Sequence, residues 1–128
     1  MTIGYRIAQL FAALQVASYA DTVRNIALGA FDNIGLAAPM IRMEAVGNGL
    51  SAMGWAVVLM LSASERGTAA GRVAYVLAGM MWFDVLTTWR LDMPLPPYFL
   101  WWGSAVVALQ LLAGFTLERA SSAKEAMT

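Results

Sequence analysis

Apolar residues along this chain gather in long runs separated by short polar breaks, the pattern of helices that cross a bilayer. Residues 45–62, 73–89 and 97–117 form three such runs, each close to the roughly 17–25 residues that span a hydrocarbon core. Between the first two, 63–72 holds Glu65, Arg66, Gly67 and Gly71 and reads as a short polar turn. Before the last, 90–97 holds Arg90, Asp92 and three prolines, which cannot continue a helix. Pro97 then falls in the first turn of the final helix, where no N–H donor is needed.

The stretch 3–20 is apolar but carries Arg6, Gln9 and Gln15. One reading is a first span with Arg6 snorkelling to the interface. The other is a secretory signal, with a basic start, an apolar middle and Ser18-Tyr19-Ala20 as a small-x-small cleavage site. The two glutamines favour the span. From 21 to 41, Arg24, Asn25, Asp32 and Asn33 stand among Val23, Ile26, Phe31 and Ile34, too polar for a further crossing. That spacing predicts a short interfacial helix lying on the membrane and stopped near Pro39. The small, polar end at 119–128 is expected to fray. The predicted fold is therefore all-α: a single integral membrane domain, a four-helix bundle with a short interfacial helix between spans 1 and 2.

Composition narrows the function. Of 128 residues, 60% are hydrophobic and 12% charged, about half the charged share of a soluble domain. Net charge is zero with no basic block, so nucleic acid is not an expected partner. Cysteine and histidine are both missing, which removes disulfides, thiolate chemistry, the usual zinc sites and histidine ligation of haem. No cofactor or metal is expected. With the N-terminus inside, Arg6, Arg66, Arg72, Arg119 and Lys124 fall on the inner side, and Arg24, Arg42 and Arg90 on the outer. Five against three places both termini in the cytoplasm, with a bacterial inner membrane as the expected location.

Within the third run stands Asp84, in Trp82-Phe83-Asp84. A carboxylate at mid-span costs roughly 2.5–3.5 kcal/mol to insert, so it needs a partner or a task. In the second span Glu44, Asn48, Ser51 and Trp55 fall at i, i+4, i+7 and i+11, one helix face. Asp84 shares a face with Met80, Met81, Thr87 and Thr88. Asp84 precedes Arg90, and Asn48 follows Arg42, by the same interval of roughly 9 Å along a helix axis, which sets the two polar groups level. Gln15, Ser18 and Tyr19 approach that side, and Gln110 lies deeper.

The expected site is a pocket open toward the outer leaflet. Asp84 is its acid or base, Glu44 and Asn48 are its hydrogen-bonding partners, and Arg42 or Arg90 is its counter-charge. Tyr19, Trp55, Met81, Trp82 and Thr88 complete the expected lining. A carboxyl in an apolar wall can hold a proton to donate. Trp82, Trp89, Trp101 and Trp102 suit an apolar or cationic guest.

A plainer reading has Asp84 and Asn48 only holding helices together, at about 0.6 kcal/mol each. Trp89, Tyr98, Trp101 and Trp102 also fit an aromatic belt at one membrane face. Gly47 with Ser51, and Ala74 with Ala78, are small-xxx-small pairs that predict close helix contacts. Met53, Met60, Met80 and Met81 read as core filling. Glu65–Arg66 and Glu118–Arg119 read as solvated interfacial charges.

The stretch Arg42-Met-Glu44-Ala-Val-Gly47-Asn-Gly49-Leu50, with Gly54 beyond it, and the linker Arg90-Leu-Asp92-Met-Pro94 resemble the DoxX-like group of small four-helix membrane proteins. As a layout the resemblance covers nearly the whole chain: a weak first span, a longer stretch, then three closely spaced helices. It implies a four-helix membrane fold; some members are linked to quinone-coupled redox complexes, and the resemblance bears on architecture more than on activity. Asp84 falls outside the matching residues.

These readings lead to an accessory or assembly subunit, or a binder of an apolar molecule within the bilayer. Its partners would be lipid, a larger membrane complex, or copies of itself. The alternative is a small membrane enzyme of the isomerase, cyclase or epoxide-opening type. There Asp84 supplies the proton, Glu44 or Asn48 positions water or the leaving group, and tryptophans shield a developing cation. A proton-coupled carrier would also load Asp84. Small four-helix exporters, however, keep their acid in the first span, where this chain has none.

Overall fold

The computed structural model describes residues 2–91 and 98–126, with side chains as far as Ser121 in the last helix. These residues form four helices: α1 Ile3–Ala27, α2 Ala38–Ala63, α3 Gly67–Arg90 and α4 Tyr98–Ala126. Three of them, α2, α3 and α4 over Tyr98–Ser121, are long and apolar enough to cross a membrane. α1 is not among those three, because Arg6, Gln9 and Gln15 dilute its apolar residues.

Local chemistry sets the helix ends, and several of them lie away from the expected boundaries. Thr2 caps α1, its hydroxyl accepting from the Tyr5 N–H at 3.2 Å. α1 does not stop at 20. Asp21 meets Arg24 at 3.7 Å and accepts from Asn25 Nδ2 at 3.3 Å, pairs one turn apart that support further helix. The expected interfacial helix is therefore not a separate element. Its first residues are the last turns of α1, and 28–35 are turns in which Gly29 and Gly35 adopt φ of 90° and 88°. Pro39 opens α2 in its first turn instead of stopping a helix. At the other end α4 continues as helix through Ala126, where fraying was expected from 119. Asp92, Pro94 and Pro97 lie outside the described residues.

Each helix packs on two others, α1 on α2 and α4, and α3 on α2 and α4. Tyr5 in the first turns of α1 donates to the Ser62 carbonyl near the end of α2 at 2.6 Å. Tyr75 of α3 donates to Glu118 Oε2 of α4 at 2.7 Å, and Gln110 of α4 reaches Gln15 of α1 at 2.8 Å. Successive helices thus run antiparallel. Glu118, expected as a solvated interfacial charge, accepts this bond while remaining partly exposed.

The closest approach is between α3 and α4. A Cβ on Gly71 would lie 2.5 Å from the Gly114 carbonyl oxygen and 2.9 Å from Glu118 Cβ. Gly67, one turn earlier, faces the Leu117 carbonyl in the same way. Ala74 and Ala78 continue this buried face, as their spacing predicts. Gly47 with Ser51 does not make such a contact: a Cβ on Gly47 meets nothing within 4 Å.

The core is built from Tyr5, Ala8, Ala12, Trp55, Val58, Ala70, Ala74, Leu77, Ala113 and Leu117. These residues gather toward the end where α1 and α3 begin. Phe11 packs edge-on against Trp55 at 5.8 Å and 84°. The outside is apolar as well. Ile3, Ile7, Leu10 and Leu14 make an exposed stripe on α1, and Val46, Leu50, Met53, Val57 and Met60 one on α2. Met53 and Met60 therefore point outward and do not fill the core. Apolar faces of this extent suit lipid, not water.

Candidate functional site

The antiparallel order sets the second halves of α1 and α3 beside the first halves of α2 and α4. A cavity of about 340 Å³ lies there, toward the end of the molecule away from the core. From α2 come Met43, Glu44, Gly47, Asn48 and Ser51, and from α3 Met80, Met81, Asp84 and Thr88. α1 contributes Gln15, Ser18, Tyr19 and Thr22, the turns after it Phe31 and Leu36, and α4 Phe99, Trp102 and Val106. The volume is within the range of small-molecule sites, which begins near about 300 Å³.

Of the expected site residues, Asp84, Glu44, Asn48, Tyr19, Met81 and Thr88 share this cavity. Helical spacing explains why. Glu44, Gly47, Asn48 and Ser51 recur at three and four residues, and so do Met80, Met81, Asp84 and Thr88, so each set occupies one face. The same α2 face continues one turn further to Trp55, which is no longer at the cavity. Trp55 is fully buried in the core, and its indole N–H meets no acceptor among the described residues.

Trp82 does not wall the cavity either. Two positions before Asp84, it sits about 200° round the helix at 3.6 residues per turn and is exposed on the outside. Trp102 takes that place, lining the cavity while remaining 65% exposed, which puts it at the mouth. Arg42 and Arg90 are exposed and line no part of it. Among the described residues neither pairs with Asp84 or Glu44. The one ion pair there is Asp21–Arg24 on the surface.

The polar groups divide into committed and uncommitted atoms. Asn48 Nδ2 donates at 2.7 Å to the Glu44 carbonyl of its own helix, so this amide does not tie α2 to a neighbour. Gln110, fully buried, uses Nε2 twice, to Gln15 Oε1 at 2.8 Å and to the Tyr19 hydroxyl at 2.9 Å. Its own Oε1 has no partner among the described residues. Asp84 is only partly buried and accepts no hydrogen bond from the described residues. It lies within electrostatic reach of both Glu44 and Tyr19. No group of three metal-ligating side chains forms among the described residues.

Phe31, Leu36, Phe99 and Val106 escaped sequence reasoning because nothing in a single apolar residue marks it as facing a cavity. Gln110 was legible as a polar residue in a span but not as the link between Gln15 and Tyr19. Compared with protein-family models, curated proteins and solved structures, the chain matches none of them.

Proposed function

We propose that this chain is a four-span integral membrane protein that binds an apolar small molecule in the cavity between its helices. The observation that carries the reading is the convergence of Asp84, Glu44 and Asn48 on one cavity of about 340 Å³, otherwise lined largely by apolar and aromatic side chains. Merely holding helices together would require Asp84 and Asn48 to bond across an interface. Asn48 bonds its own helix instead, and Asp84 bonds no described residue.

The exposed stripe Ile3, Ile7, Leu10 and Leu14 supports α1 as the first of four spans in one bundle, despite its glutamines. Gln15 then faces inward to Gln110, and Gln9 approaches Ser62 Oγ at 3.4 Å. In this arrangement Arg6, Arg66, Arg72 and Arg119 mark the cytoplasmic end. The cavity opens toward the other, among the belt residues Trp89, Tyr98, Trp101 and Trp102. The DoxX-like layout agrees with this architecture and leaves the ligand open.

A second reading follows from the uncommitted Asp84 carboxyl: general acid–base chemistry on the bound molecule, with Glu44 beside it. The two readings part on whether a bound molecule is recovered unchanged.

The test is titration of a twelve-carbon amphiphile into the protein in zwitterionic nanodiscs, with empty discs subtracted. Saturable one-site binding is expected, and Gly47→Leu should abolish it. Position 47 lines the cavity, and a Cβ there meets nothing within 4 Å, so the larger side chain is expected to extend into the cavity. Equal heats from wild type and Gly47→Leu would remove the binding reading.

A further inference from the structure

We infer that the cavity selects a lipophilic cation that can donate a hydrogen bond, an alkylammonium group on an apolar body, with Asp84 as its counter-charge. The inference deepens the binding reading and rests on it. Three independent features of the lining converge on this class of guest.

The first is charge. Two carboxyl groups, Asp84 and Glu44, line the cavity, and no basic residue is among the described residues that do. Arg24, Arg42 and Arg90 fall at the same end of the helices but are exposed outside it. An anionic guest would meet two acidic groups and no basic partner among the described lining residues. A cationic guest would supply the positive partner that the protein withholds, in surroundings where water is partly excluded and an unpaired charge is costly.

The second is hydrogen bonding. Asn48 Nδ2, an amide donor on the lining, is turned onto the Glu44 carbonyl of its own helix. The Asp84 oxygens accept nothing from the described residues. An N⁺–H group satisfies such a carboxylate by a charge-assisted bond, whereas an ether, ketone or ester brings only more acceptors.

The third is the apolar wall. Tyr19, Phe31, Phe99 and Trp102 present rings, and Met43 and Met80 present thioethers. Aromatic faces attract a cation held within about 6 Å of the ring centre. Methionine adapts its shape to alkyl groups of differing form. Trp102 at the mouth, near the level of the belt, gives an amphiphile entering from the interface its first contact.

The experiment compares three probes of one chain length and different charge: N,N-dimethyldodecylamine, dodecanol and dodecanoate. Each is titrated at neutral pH into the full chain in zwitterionic nanodiscs, with empty discs subtracted. The amine is expected to bind at least about ten-fold more tightly than the alcohol, a difference of about 1.4 kcal/mol, with dodecanoate weakest. Asp84→Asn should bring the amine down to the level of the alcohol. Glu44→Gln, a second variant that keeps the shape, should lower the preference for the amine by a smaller factor.

Equal binding of amine and alcohol by wild type would overturn the cation inference and leave the binding reading standing. So would an unchanged amine affinity in Asp84→Asn. No saturable binding of any probe would overturn both. Thermal unfolding of each variant in the same discs identifies a lost affinity that comes from lost fold, and Glu44→Gln then decides.

Discussion

Gln110 Nε2 of α4 lies 2.8 Å from Gln15 Oε1 of α1, joining the last helix to the first across 95 positions of sequence. The same nitrogen holds the Tyr19 hydroxyl at 2.9 Å. This fully buried amide therefore closes the circuit of helices immediately behind the cavity wall. Gln110→Leu should destabilise the protein by about 1–2 kcal/mol, near the upper end for polar contacts in membranes. A double-mutant cycle with Gln15→Leu, read from unfolding in mixed micelles, should give a coupling of about 0.6–1.7 kcal/mol. Strict additivity would show that the contact contributes nothing to stability.

Two glycines of α3 should respond in opposite ways to the same substitution. Gly71→Ala places a methyl 2.5 Å from the Gly114 carbonyl oxygen, a backbone atom that moves only with its helix. A loss of about 1–3 kcal/mol is expected from such overpacking. Gly79 has nothing within 4 Å of the added atom. Gly79→Ala should therefore be neutral, or stabilising by up to about 1 kcal/mol through helix propensity. Denaturation curves of the pair in one detergent decide it.

The contact of Tyr75 with Glu118 should be worth more than a neutral pair, because the hydroxyl donates to a carboxylate at 2.7 Å. Tyr75→Phe is expected to cost about 1.5–3 kcal/mol. Glu118→Gln, which keeps an acceptor, should cost less. The order of the two unfolding midpoints is the measurement.

Two tryptophans close in sequence to cavity residues should differ in their effect on ligand. Trp102 lines the cavity, and Trp82 faces outward. Trp102→Ala should weaken amine binding by about ten-fold, the loss of about 1.4 kcal/mol expected for a partly desolvated cation–π contact. Trp82→Ala, Arg42→Ala and Arg90→Ala should leave it unchanged. If the arginine variants weaken binding as much as Trp102→Ala, the placement of the counter-charge is wrong.

Because the chain has no cysteine, single introduced cysteines report topology without background. Thr2→Cys and Ser121→Cys should be labelled by a membrane-impermeant maleimide from the same side of the membrane. Labelling from opposite sides would mean that α1 does not cross, leaving three spans.

The three apolar runs were legible because bilayer thickness imposes a length that any window of the chain reveals, and α2, α3 and α4 follow them. So was the face shared by Glu44, Asn48 and Ser51, and that of Asp84 with Met80, Met81 and Thr88, since helical period alone sets which residues lie side by side. The outward direction of Trp82 was equally available from its distance to Asp84. The continuation of α1 through Asp21, Arg24 and Asn25 was harder to read, because the polarity that excludes a span also supplies the i,i+3 and i,i+4 pairs that prolong a helix.

What the sequence determined by itself is thus the helical period, the length of the apolar runs and which carboxyl groups stand within or beside them. Tertiary structure decided which faces meet. The glycines at 67, 71 and 114 bring α3 onto α4 where the backbones touch, and Gly47, with the same local chemistry, is left facing open space. For the same reason Trp55, expected at the cavity, is buried in the core, and Trp102 lines the cavity in place of Trp82. Depth along a helix is written in one chain, but whether that depth is packed or open depends on side chains that three other helices bring to it.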